Sequence, residues 1–160
     1  MKRFLSVIFS LICLMVCIGC SGSKTKAIEL MGAGDKIHDT FTFANIGVEI
    51  KEKEENIYEI SGSVEKLTEE NVKDEFDIDE DVTHVVAIKL TAVDSTVVEE
   101  KVKVYVDGSR AYDAEHLNGS NYTFIILEAK PGALATVNVL WDGENEKVYT
   151  VKFNENLTLK

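Results

Sequence analysis

Residues 122–153 read YTFIILEAKPGALATVNVLWDGENEKVYTVKF, three apolar runs separated by Pro131-Gly132 and Asp142-Gly143. Within the second run Ala135, Val137 and Val139 alternate with Thr136, Asn138 and Leu140. A period of two places one set on one face of an extended chain, and the β-branched and aromatic side chains suit a pleated surface. Proline has no N–H to give a ladder and glycine accepts turn conformations, so both punctuation points read as reversals between strands. Tyr122 to Glu128, Ala135 to Trp141 and Val148 to Phe153 are therefore strands, and Leu157 and Leu159 close a last edge.

The same period extends toward the N-terminus. Phe41, Phe43, then Ile46, Val48 and Ile50 alternate with polar residues, with one slip at Ala44-Asn45 such as a β-bulge produces. Tyr58, Ile60, Gly62 and Val64 follow the charged turn Glu52 to Asn56, and the two runs predict an antiparallel hairpin. His84 to Val93 and Lys101 to Val106 are further strands, the latter ended by Asp107-Gly108. About seven strands with turn signals between them predict an all-β protein, a single antiparallel two-sheet sandwich. One or two short helices interrupt it. Thr68 is placed to cap a turn containing Glu69 and Glu70, with Leu67 stapled on Val72 and Phe76 on the same face. Ala111 to Asn118 is a second short helix, ended by Gly119.

The first twenty residues carry a different signal. Lys2 and Arg3 precede the uncharged apolar run Leu5 to Ile18, and Gly19 precedes Cys20. That run falls short of the roughly 20 apolar residues a spanning helix needs. Cys17-Ile18-Gly19-Cys20 resembles the lipobox of bacterial lipoproteins, with Cys17 where that family has an aliphatic residue. The resemblance implies thioether diacylglycerol on Cys20 and cleavage on its amino side, and hence a chain tethered to a membrane outside the cytoplasm. An ordinary secretory signal is the alternative. The organisation expected is a signal over 1–19, lipidated Cys20 and a tether over 20–40, and the sandwich over 41–160.

All three cysteines, Cys13, Cys17 and Cys20, lie in or at the end of the signal, so the folded part holds neither a disulfide nor a thiolate metal site. Removing Lys2 and Arg3 from the 17 basic residues leaves 15 against 28 acidic ones, a formal charge of −13. Nucleic acid is excluded as a partner, and so is electrostatic adhesion to anionic lipid, because both need clustered Lys and Arg. Membrane attachment then rests on the lipid of Cys20.

Phe124 to Leu127, the Pro131-Gly132 loop, Thr136 to Trp141 and Tyr149 to Phe153 together resemble immunoglobulin-like domains of bacterial extracytoplasmic lipoproteins. The resemblance implies a domain that binds or spaces and supplies no catalytic residue.

Eight carboxylates stand between Glu69 and Asp81 against the single Lys73. Asp77, Asp79 and Asp81 alternate, a spacing by which an irregular loop aims oxygens at one hard cation, so calcium is the candidate metal. An EF-hand is excluded, since Val82 and Ile88 stand where it needs glycine and glutamate. The competing reading is a solvated acidic loop. Tyr105 and Tyr112 are candidates for an exposed stacking platform that binds a sugar or a protein. His38, His84 and His116 stand far apart, and neither a Gly-x-Ser-x-Gly elbow, a His-Glu-x-x-His motif nor a phosphate loop occurs. The expected function is non-enzymatic binding of a protein, peptide or glycan at the cell envelope. Its alternatives are a calcium-dependent adhesive domain and a hydrolase with a scattered site.

Overall fold

The computed structural model describes residues 28–38, 41–43, 45–68, 70–91, 103–113, 122–141 and 145–160. The expected signal over 1–19, Cys20, and residues 114–118 of the second expected helix, His116 among them, lie outside the described residues. In chain order the strands are β1 (Ile28–Leu30), β2 (Asp35–His38), β3 (Phe41–Phe43), β4 (Val48–Glu54), β5 (Ile57–Val64) and β6 (Val85–Thr91). They continue as β7 (Lys103–Gly108), β8 (Ala111–Asp113), β9 (Tyr122–Glu128), β10 (Leu134–Trp141), β11 (Asn145–Phe153) and β12 (Thr158–Leu159). A single helix among the described residues, α1 (Glu70–Glu75), lies between β5 and β6.

The protein is an all-β sandwich. One sheet runs β1-β6-β9-β8, antiparallel throughout, and the second runs β12-β5-β11-β10-β7 with β4 added to β5. From β5 to β11 the second, fifth and fourth strands form one sheet and the third, sixth and seventh the other. Constant-type immunoglobulin sandwiches divide their strands in that way. The first of the seven, β5, has moved to the second sheet, where it runs parallel to the last, β11, with Val151 opposite Tyr58. The second sheet is therefore mixed rather than purely antiparallel. β12 continues the parallel pairing along β5, Leu159 opposite Val64.

Three local expectations are corrected. Phe41–Phe43 does not continue into Val48: it pairs with β2 in a ribbon of its own, and Gly47, at φ 81°, turns the chain before β4 begins. The ordered sandwich starts before residue 41, because Ile28 and Met31 are buried and β1 pairs with β6. Ala111–Asp113 is not the start of a helix. It is the edge strand β8, where Tyr112 opposes Ile126. Helix propensity in three residues is outweighed there by the unpaired ladder groups of β9.

Between the sheets lies the main core, with Ile60, Val86, Ile88, Leu127, Val137, Tyr149, Val151 and Phe153 fully or almost fully buried. β6 and β9 are covered on the other face as well. Val85, Ala87, Phe124 and Ile126 point away from the main core into a second cluster, made with Met31, Val72, Phe76, Ile78 and Val82. This explains why VVAI and FIIL read as unbroken apolar runs: strands buried on both faces lose the alternation of a half-exposed sheet. Helix α1 and the acidic loop after it are thus a third layer. Each fully buried valine or isoleucine there contributes about 1.5–3 kcal/mol.

Candidate functional site

The acidic loop is built from the helix outward. α1 ends with the N–H of Ile78 donating to the carbonyl of Lys73 at 2.8 Å, while Asp77 takes a left-handed φ of 50°. That is a Schellman ending, in which the residue after the helix turns left-handed and the next one folds back on the last turn. Ile78 and Val82 then point into the second cluster while Asp77, Asp79, Glu80 and Asp81 face solvent. Ile78 is buried between Asp77 and Asp79, and Val82 is buried after Asp81, whereas Glu80 is exposed together with the aspartates on either side of it.

Arg110, at the turn between β7 and β8, supplies the cation for this loop. Its Nη1 lies 2.7 Å from Asp81 Oδ1 and 3.2 Å from Asp79 Oδ2, and its Nε lies 3.7 Å from Glu128 Oε2. Tyr112 donates its hydroxyl to Asp79 Oδ2 at 3.4 Å, and Lys73 Nζ donates to the carbonyl of Glu80 at 2.9 Å. The Arg110 hydrogen bond holds the Asp81 carboxyl below the usual aspartate range, and Asp81, then Tyr112, hold Arg110 above its ordinary value. Among the described residues no three His, Cys, Asp or Glu side chains converge as a metal site. Of the three calcium candidates, Asp77 serves as the helix ending, and Asp79 and Asp81 hold a guanidinium. Beside Arg110 an open polar groove runs over Ser109, Glu128 and Lys130 to Leu134.

Sequence reasoning missed Arg110, although a signal was present. Apart from Arg3 it is the only arginine in the chain. A planar fork of donors is the side chain best matched to two carboxylates.

The two tyrosines are on different sheets. Tyr105 is 55% exposed on the outer face of the second sheet, opposite Asn138 on β10. Tyr112, on β8 of the first sheet, is half-buried against the second cluster with its hydroxyl on Asp79, so it is not an open stacking surface. What surrounds Tyr105 is apolar for an exposed sheet. Asn138 also opposes Val148, Thr150 opposes Ile57, and Leu134 lies on the same face of β10 as Asn138. Ile57, Leu134 and Val148 are all exposed.

Among the described residues the histidines join no cluster of metal-ligating side chains. His84 Nε2 donates to the carbonyl of Lys160 at 2.9 Å, which leaves Nδ1 to accept from the Thr83 hydroxyl at 2.9 Å. This ties the last residue to the start of β6. His38 pairs with Phe41 across the β2–β3 ribbon. No helix among the described residues is long and apolar enough to cross a membrane. No family model matches the chain, and no curated protein matches it.

Proposed function

We propose that the protein is a lipid-tethered extracytoplasmic binding module, whose sandwich takes a protein, peptide or glycan partner on the outer face of its second sheet. The observation that carries the binding reading is the set Tyr105, Ile57, Leu134 and Val148, exposed together on one face of a strongly acidic domain. Exposed apolar side chains grouped on one surface favour a partner that covers them. Tethering is supported by Lys2-Arg3, the apolar run Leu5 to Ile18 and Gly19-Cys20. Two or more acyl chains hold a protein stably where one is marginal.

Two measurements test this reading. Membrane fractionation and intact mass spectrometry of the expressed full-length chain are expected to find a diacylated product beginning at Cys20, and Cys20→Ser to release the protein. A soluble product with an unmodified thiol overturns the tether. A photo-reactive residue at Val148 in living cells is expected to trap a discrete partner that the same residue at Glu75 does not. Identical patterns from both positions overturn the choice of face.

A further inference from the structure

β7 ends the strand order of the second sheet, with β10 its only hydrogen-bonded neighbour among the described residues. Which of its backbone groups face outward follows from the ladders. Phe153 donates to the carbonyl of Ala133, so the odd-numbered residues of β10 direct their N–H and C=O groups toward β11 and the even-numbered ones toward β7. In the register that sets Asn138 opposite Tyr105, the groups of Lys103, Tyr105 and Asp107 are thereby consumed by β10. The Ser109 N–H on the Leu134 carbonyl obeys the same phase. Val104 and Val106 turn their N–H and C=O groups away from β10, to a side where no described strand pairs with β7. Their side chains meanwhile pack against the core, and Lys103, Tyr105 and Asp107 are exposed on the outer face.

An open edge is a template for another strand, and a twofold axis is the symmetry by which an edge can pair with itself. The sequence Lys103-Val104-Tyr105-Val106-Asp107 is complementary to its own reversal. With the axis at Tyr105, Val104 exchanges both backbone hydrogen bonds with Val106 of the second copy, and Val106 with Val104. These are the outward-facing residues. Tyr105 then meets Tyr105 in the closely spaced, non-hydrogen-bonded position, where side chains approach most nearly. Lys103 falls opposite Asp107 in both directions. Moving the axis to Val104 places Lys103 opposite Tyr105, and moving it to Val106 places Tyr105 opposite Asp107. Neither matches charge with charge.

We propose that β7 pairs antiparallel with β7 of a second copy of this chain about a twofold axis at Tyr105, joining the two second sheets edge to edge. The occupant is a second copy because it supplies both the unpaired groups and the opposite charges in one register. The pairing extends the exposed face described above across two molecules, and it does not depend on the lipid. Confinement to a membrane would raise the effective concentration of such an edge contact.

The experiment is cysteine cross-linking in the full-length protein, whose folded part has no cysteine of its own. A pair of Cβ atoms at a close cross-strand position is within disulfide range. Under mild oxidation Tyr105→Cys is expected to give a dimer, whereas Leu134→Cys on the same face of β10 and the unsubstituted chain with its Cys20 are not. Adding Lys103→Asp to Tyr105→Cys sets acid against acid across the axis and is expected to reduce the cross-link at least tenfold. Adding Asp107→Lys to that pair restores opposite charges and the cross-link, which a mere folding defect would not allow. Cross-linking equal at positions 105 and 134, none at 105, or no rescue by the charge swap overturns the proposal. None of these readings depends on whether Cys20 is lipidated or Val148 has a further partner.

Discussion

Arg110 Nη1 lies 2.7 Å from Asp81 Oδ1, so the turn after β7 is clamped to the acidic layer that covers the first sheet. Asp79 and Glu128 stand within 4 Å of the same guanidinium, and without it three carboxylates would face one another. Arg110→Ala is expected to lower the thermal midpoint and to speed amide exchange at Ile78 and Val82 before the strands of the main core. Arg110→Lys, a point charge without the fork, is expected to recover only part of the protection. Exchange followed by mass spectrometry decides, and unchanged protection at both valine and isoleucine would remove the clamp.

The same contact sets an acid response. Asp81 has its folded-state carboxyl lowered by the Arg110 hydrogen bond, so the unfolded chain binds the proton first as pH falls. Its stabilisation is present above the ordinary aspartate value and is lost as pH descends through the lower folded one. Between about pH 4 and pH 2 the wild-type midpoint is expected to fall more steeply than that of Asp81→Asn, whose side chain has no proton to bind. Parallel acid limbs for the two proteins would show that the pair carries no linkage.

Asp77 tests what the acidic loop is for. Its φ of 50° is a left-handed conformation that costs a side-chain-bearing residue about 1–2 kcal/mol relative to glycine. Asp77→Gly is therefore expected to raise the thermal midpoint by a few degrees, and millimolar calcium to leave wild type and variant unmoved. A calcium ligand would behave in the opposite manner: the variant would lose stability and wild type would gain it from the ion.

The contrast between what the sequence disclosed and what it hid follows from the range of the interactions. β10 and β11 were legible because each alternates between a dry face and a wet one. β6 and β9 were legible as strands, but their unbroken apolar runs also implied a second cover, which the alternation argument passed over. β1 is three residues long and takes its place from partners remote in sequence: it pairs with β6, and its Ile28 is buried in the main core. Ala111 to Asp113 is a strand for the same reason, set by β9 rather than by its own composition. The site was less legible than the fold. Asp77 serves as the helix ending beside buried Ile78, while the side chain that meets Asp79 and Asp81 is Arg110, 29 residues from Asp81. Likewise the Tyr105–Tyr112 platform assumed one surface, whereas the chain changes sheets at Gly108 to Arg110.

Two glycines separate backbone conformation from crowding. Gly62, in β5, has φ 102°, and a Cβ there would fall on the carbonyl oxygen of Gly47, whose own carbonyl accepts the N–H of Ser63 at 2.9 Å. Gly34 has φ 85° and open space where its Cβ would stand. Gly34→Ala is expected to cost about 1 kcal/mol, the conformational penalty alone. Gly62→Ala carries that penalty and must also push β4 from β5, so a loss of about 3 kcal/mol or more is expected, with the midpoint falling by roughly 10 °C. Chemical denaturation of both variants checks the comparison. Equal losses would mean that β4 yields without cost, and the junction at Gly47 would then be an optional extension of the second sheet rather than a fixed part of it.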